Sequence, residues 1–122
     1  MRGLLLGCVA ALTIVPLAAA RPLTTNEPAI FTVKVTLTDT SVKLSPDHAA
    51  RGSTCTFVIT NRGRKTHRFV FGAVRIGSQG FARTLKPQQQ VSIPIYLDYR
   101  GALGYANRTG TRTVARGTFR IT

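Results

Sequence analysis

The fold of this chain is decided by residues 54–71, which read TCTFVITNRGRKTHRFVF. Two largely apolar runs flank a polar turn, and within each run the residues of one parity are mostly apolar. A period of two residues is typical of a β-strand that packs one face against a core. Asn61 and Gly63 are residues that hairpin connections favour, so the sequence predicts a hairpin turn at residues 61–65. The residues predicted to face inward are Cys55, Phe57, Ile59, His67, Phe69 and Phe71.

Similar alternation recurs on both sides of this stretch. Residues 31–38 alternate Phe, Val, Val and Leu with Thr and Lys, and residues 90–97 alternate in the same way. Pro94 lacks a backbone N–H, which indicates an edge strand or a bulge. Further strands are predicted at residues 41–44 and 111–122, and loops at residues 77–87 and 99–110.

No stretch after residue 20 has sustained helical periodicity. Several short strands in a chain of this length are typical of a sandwich. The predicted fold class is therefore all-β, a Greek-key β-sandwich of about seven strands. The residues predicted to be buried together are Val33, Val35, Phe57, Ile59, Phe69, Ile93, Phe119 and Ile121.

The first twenty residues are predicted to be a secretory signal peptide rather than part of the fold. Arg2 gives a positive start, residues 3–20 are uncharged, and the run ends in three alanines that suit cleavage near Ala20. The alternatives are an uncleaved membrane anchor and lipid attachment at Cys8. Residues 21–29 are predicted to form an extended tether and residues 30–122 the domain. The expected location is secreted or periplasmic.

The chain has 122 residues, enough for one domain, and a net charge of +13 from 17 Lys and Arg against 4 Asp and Glu. It contains two His, two Cys and one Met. This inventory gives poor support to a hydrolytic metal site, a two-carboxylate glycosidase site or a dinucleotide fold, so we predict that the protein is not an enzyme. Once the signal is removed, Cys55 is the one remaining cysteine, which excludes an internal disulfide.

The order of these parts resembles a cupredoxin, a domain of the plastocyanin and azurin type. The resemblance covers about residues 29–122 and is most specific over residues 51–71. It rests on three stretches, which are TVKVTLTDTSVKLSP at residues 32–46, CTFVITNRGRKTHRFVF at residues 55–71 and ARGTFRIT at residues 115–122.

The resemblance implies copper binding and electron transfer through two His, one Cys thiolate and often a Met. His67 stands where the first His ligand would be. Arg100, Gly110 and Ala115 stand near the expected positions of the Cys, the second His and the Met, and no Cys, His or Met follows His67. We therefore predict a degenerate site without type 1 copper and without a cofactor. The alternative is copper weakly bound at His67; a hydrogen-bonded structural histidine is the simpler interpretation.

The positive charge is concentrated in two places. The first comprises Arg62, Arg64, Lys65 and Arg68, and in the second Arg108, Arg112, Arg116 and Arg120 recur at every fourth residue. On a strand, Arg112, Arg116 and Arg120 share one face, opposite Phe119 and Ile121. We predict a partner-binding surface formed by Arg62, Arg64, Lys65, Arg68, Arg112, Arg116 and Arg120. The alternative is a solvated face that keeps the domain soluble.

The predicted function is that of an exported binding or structural module of the periplasm or cell envelope. Its expected partner is an acidic protein or an anionic envelope surface. Nucleic acid is not expected as a natural partner of an exported protein, no transmembrane segment is expected after cleavage, and the domain is expected to be a monomer. A copper carrier or electron-transfer protein with a degenerate site is the second hypothesis. The sequence Asn107-Arg108-Thr109 also matches a glycosylation motif, a pattern with a high chance rate.

Overall fold

The computed structural model describes residues 27–72 and 80–122. These residues form nine β-strands and no helix. The strands are β1 (Ile30–Leu37), β2 (Val42–Ser45), β3 (His48–Ala49), β4 (Thr54–Asn61), β5 (His67–Gly72), β6 (Gly80–Leu85), β7 (Gln90–Tyr96), β8 (Gly101–Thr109) and β9 (Arg112–Ile121).

The strands form two sheets that pack face to face. The four-stranded sheet has the order β2-β1-β4-β7, and the five-stranded sheet has the order β3-β9-β8-β5-β6. The pairs β1–β4 and β3–β9 are parallel, and the other pairs are antiparallel. The predicted all-β sandwich is confirmed, with nine described strands in place of about seven.

The predicted hairpin at residues 61–65 is wrong, because β4 and β5 belong to different sheets. The segment is an arch between the sheets, and the side chain of Asn61 holds it. Asn61 Oδ1 accepts a hydrogen bond from the Gly63 amide at 2.8 Å, while its Nδ2 donates to the carbonyls of Lys65 and Leu85 at 2.9 and 3.0 Å. The Asn and Gly residues that suit a hairpin also suit this arch, so local sequence does not separate the two.

Two segments predicted as loops are strands. Residues 80–85 form β6, which places Phe81 and Leu85 inward beside β5. Residues 101–109 form β8, which pairs with β5 on one side and β9 on the other. The Gly and Ala content of β8 gives it low intrinsic β-propensity, so its strand conformation comes from pairing within the sheet.

The core lies between the inward rows of the two sheets, and seven of the eight predicted members are at most 1% exposed. Ile93 is only partly buried against the core because β7 is an edge strand of its sheet. An edge strand is one of the two positions that Pro94 predicted for this segment. Phe57 lies at the centre of an aromatic cluster, with ring centroids 4.7 Å from Phe71, 5.4 Å from Phe81 and 5.9 Å from Phe119.

The predicted signal peptide and most of the predicted tether lie outside the described residues. Within residues 27–72 and 80–122, no helix is long and apolar enough to cross a membrane.

Candidate functional site

His67 is the first residue of β5, and its side chain is fully buried. It continues the inward row of Phe69 and Phe71. Its Nε2 lies 2.9 Å from Asp39 Oδ1, and its Nδ1 lies 2.8 Å from Thr109 Oγ1. Both ring nitrogens therefore have hydrogen-bond partners, as the structural interpretation of this residue requires.

Asp39 lies in the turn between β1 and β2 and is the centre of this arrangement. Its carboxylate also accepts hydrogen bonds from the backbone amides of Arg64, at 3.0 and 3.1 Å, and Lys65, at 3.2 Å. The hydrogen bond from His67, followed by that from the Arg64 amide, lowers the pKa of Asp39 to about 2. The carboxylate thus ties the arch to the β1–β2 turn.

Gly63 is required at this point because a Cβ there would overlap Asp39 Oδ1 and lie 3.0 Å from His67 Nε2. Asn107 holds the same turn from β8, since its Nδ2 donates to the carbonyls of Thr38 and Ser41 at 2.9 Å each. Asn107 is completely buried, which removes it as a glycosylation acceptor in the folded domain. We call Asp39, Asn61, His67, Asn107 and Thr109 the polar cluster.

The second candidate region is the outer face of the five-stranded sheet. Arg68 on β5 lies directly opposite Arg108 on β8, and on β9 Arg116 and Arg120 lie opposite Ala106 and Ala102. Arg68, Arg116 and Arg120 are exposed, whereas Arg108 is half-buried and donates from Nη2 to the Thr111 carbonyl at 2.9 Å. We call Arg68, Arg108, Arg116 and Arg120 the arginine face.

Arg112 is not on the arginine face, contrary to the prediction that it shares a face with Arg116 and Arg120. Asn107 pairs with Ala115 and Arg108 with Thr113, so Val114 is left without a partner and forms a β-bulge. A bulge adds one residue to one strand and shifts its alternation. Arg112 consequently lies opposite Thr109, whose hydroxyl turns inward to His67.

The other predicted basic residues lie in the arch rather than on a strand. Arg62, Arg64 and Lys65 are all exposed there, and the amides of Arg64 and Lys65 bind Asp39. The basic residues of the sequence therefore divide between the arch and the arginine face. Arg108, which was part of the four-residue spacing but not of the predicted partner-binding surface, belongs to the arginine face.

The arginine face is not neutralised within the described part of the chain. There, Asp39 pairs with His67, Asp47 with His48 at 3.2 Å and Asp98 with Arg51 at 3.0 Å. None of the four arginines of the face is in an ion pair with another described residue. The outer face of the four-stranded sheet differs, because threonines and serines dominate it and its two lysines are Lys34 and Lys43.

Comparisons with known proteins identify the fold. No protein-family profile and no curated protein sequence matches the chain. Among solved structures, auracyanin A, a blue copper protein from Chloroflexus aurantiacus, superposes with a TM-score of 0.56 at 8% identity and covers 76% of this chain and 99% of its own. The fold is cupredoxin-like.

Two further neighbours have the same architecture. An auracyanin from Roseiflexus castenholzii has a TM-score of 0.54 at 12% identity, and the match covers 80% of this chain and 98% of the auracyanin. A copper-containing nitrite reductase from Thermus scotoductus has a TM-score of 0.51 at 14% identity, with 78% of this chain matching 28% of the reductase. The predicted resemblance to cupredoxins is thus confirmed for the fold.

The residues of this cupredoxin-like domain do not fit a type 1 copper site. Cys55 lies six residues before Asn61 along β4, which places it about 20 Å from the polar cluster. Burial raises the pKa of the Cys55 thiol to about 11. His48 is exposed on β3 opposite Arg120, also away from His67. The described residues contain no group of three or more His, Cys, Asp or Glu that could hold a metal ion.

The segment expected to carry the other copper ligands is a paired hairpin in this cupredoxin-like domain. Thr109 and Arg112 pair directly, so only Gly110 and Thr111 connect β8 to β9. The side chain beside His67 is Thr109, which the sequence marked only as part of a glycosylation motif and not as a partner of His67. Arg100 precedes β8, and Ala115 lies opposite Asn107. Because β8 was predicted as a loop, no sequence pattern could place Thr109 next to His67.

Proposed function

We propose that this chain is an exported, non-enzymatic cupredoxin-like binding module of the periplasm or cell envelope, and that the arginine face holds an anionic partner. The proposal rests on the observation that Arg68, Arg108, Arg116 and Arg120 lie on one sheet face and form no ion pair with another described residue. Asp47 lies near Arg120, but its carboxylate pairs with His48. An envelope location is inferred from the signal-like residues 1–20.

The energetics of the face favour an anionic partner. Side chains directly opposite on antiparallel strands have Cβ atoms about 4.5–5.5 Å apart, and like charges at that distance destabilise the sheet. Arg68 and Arg108 are in this relation. A bound anion would relieve their repulsion, and guanidinium groups bind carboxylate and phosphate oxygens in a bidentate manner. The one-sided charge would also steer an anionic partner to this sheet.

Copper carriage is the competing function, because auracyanin A is a blue copper protein and the sequence resemblance to cupredoxins implies a first His ligand at His67. The contacts of His67 with Asp39 and Thr109 count against it. A titration with Cu(II) separates the two functions. We expect no intense visible absorption band, since no thiolate lies beside two imidazoles. An intense band that disappears in Cys55→Ser would favour copper carriage.

The proposal is tested with two variants of equal charge. Arg68→Gln/Arg116→Gln/Arg120→Gln removes three charges from the arginine face. Lys34→Gln/Lys43→Gln/Arg112→Gln removes three charges from elsewhere. Retention on anionic vesicles and on a polyanionic wall polymer is measured from low salt to about 0.15 M, where screening becomes strong.

We expect the first variant to lose retention and the second to keep most of it. Equal losses in the two variants would mean that retention follows net charge alone. Unchanged retention of the first variant at low salt would leave the arginine face as a solvated surface and overturn the proposed function.

A further inference from the structure

A shallow hollow with a volume of about 490 Å³ lies on the arginine face. Arg108 and Arg116 line it, together with three residues that have little or no side chain, Gly72, Gly104 and Ala106. Val70, Thr113 and Thr118 line it as well. On β9, Arg116 and Arg120 are four residues apart, which is about 13 Å along a strand, and they bracket Thr118, the partner of Gly104.

The fold does not require a glycine at position 104. A Cβ at this position would meet only the Gly117 carbonyl oxygen, at 4.0 Å, and its backbone is not in the left-handed region. Gly117, by contrast, must lack a side chain because the ring of Tyr105 lies against it. Glycine inside a strand weakens the strand and often marks a place where a ligand approaches the backbone closely.

Arg108 is held in position for binding. Its Nη2 donates to the Thr111 carbonyl, and its Nε is buried and has no hydrogen-bond partner within the described residues. The Arg108 guanidinium is thus fixed toward the hairpin turn while Arg68 lies directly opposite it. Arg108 and Arg116 thus line the hollow from β8 and β9, and Arg68 lies next to it, opposite Arg108 in the register of β5 and β8.

We propose that the hollow binds a phosphate group of a linear phosphate-bearing polymer, with Arg68, Arg108 and Arg116 around the phosphate and Arg120 toward the next charge of the polymer. This inference rests on the proposed function and names the chemistry of the partner. A phosphate offers more acceptor oxygens than a carboxylate, which a single guanidinium fork satisfies. The spacing of about 13 Å between Arg116 and Arg120 along β9 suits successive charges of a linear polymer.

The experiment measures the affinity of the domain for three probes at about 0.15 M salt: inorganic polyphosphate, poly-glutamate of equal charge and anionic phospholipid vesicles. We expect polyphosphate to bind at least tenfold more tightly than poly-glutamate. Gly104→Val places a branched side chain in the hollow without changing the charge, and we expect it to weaken polyphosphate binding at least tenfold. The matched control is Ser92→Val on the outer face of the four-stranded sheet, which should bind as the unchanged domain does.

Circular dichroism and thermal unfolding check that the variants fold. If Gly104→Val does not fold, Gly104→Ala replaces it, because alanine adds only a Cβ, which makes no close contact at this position. Suppose the folded Gly104 variant binds polyphosphate fully while Arg68→Gln/Arg116→Gln/Arg120→Gln loses polyphosphate binding. That result would overturn the hollow as the phosphate site and leave the proposed function intact. Stronger binding to poly-glutamate or to vesicles would overturn the phosphate assignment. Full binding by both variants would overturn both proposals.

Discussion

Phe57→Ala tests whether the two sheets are held together as the packing indicates. Phe57 is completely buried and contacts the rings of Phe71, Phe81 and Phe119 from the opposite sheet. Truncating a buried phenylalanine costs about 3–5 kcal/mol. Each aromatic contact adds about 0.5–1.5 kcal/mol beyond burial, so we expect the upper part of that range. Within residues 27–72 and 80–122, Cys55 forms no disulfide and no group of three or more His, Cys, Asp or Glu could hold a metal ion, so the packing of the core is not supplemented by either.

The assay is urea unfolding followed by circular dichroism. The matched control is Val58→Ala, at the next position of β4 on the partly exposed outer face, which we expect to cost about 1 kcal/mol or less. A loss below about 1 kcal/mol for Phe57→Ala would refute the assignment of the inward row of β4. Equal losses for the two variants would do the same.

Three further predictions concern the polar cluster. The pKa of Asp39 is about 2 in the fold and 3.8 ordinarily, so its contribution to stability is present above about pH 4 and is lost as the pH falls toward 2. Asp39→Asn should therefore flatten this part of a plot of stability against pH. An unchanged slope would contradict the assignment. Gly63→Ala should lower the urea midpoint, since its Cβ overlaps the Asp39 carboxylate, whereas an unchanged midpoint would mean that the arch can move aside. Because both ring nitrogens of His67 are already hydrogen-bonded, any weak Cu(II) affinity of the domain, measured by calorimetry, should persist in His67→Ala; its loss would place the copper at His67.

The strands with strong alternation were predictable from the sequence. In β1, β4 and β5 the β-branched and aromatic residues of one parity are the buried ones, so pattern and burial agree. β8 was missed because its Gly, Ala and Asn residues have low β-propensity, and its pairing with β5 and β9 is a property of the assembled sheet.

The candidate site was predictable only in part. His67 was identified from its position, but its partners Asp39 and Thr109 lie 28 and 42 residues away in sequence, and the turn and strand that carry them meet only in the folded sandwich. The face predicted for Arg112 was wrong because Val114 has no partner on β8 and shifts the alternation of β9. The regular spacing of the arginines in the sequence does not reveal such a bulge.

An NMR titration of the folded domain with polyphosphate at about 0.15 M salt shows directly whether the arginine face is the binding surface. We expect the amide shifts to move along β5, β8 and β9 on the arginine face, with the largest changes at Arg68, Ala106 and Arg116. Changes confined to the arch residues 62–65, or spread over the outer face of the four-stranded sheet, would contradict it.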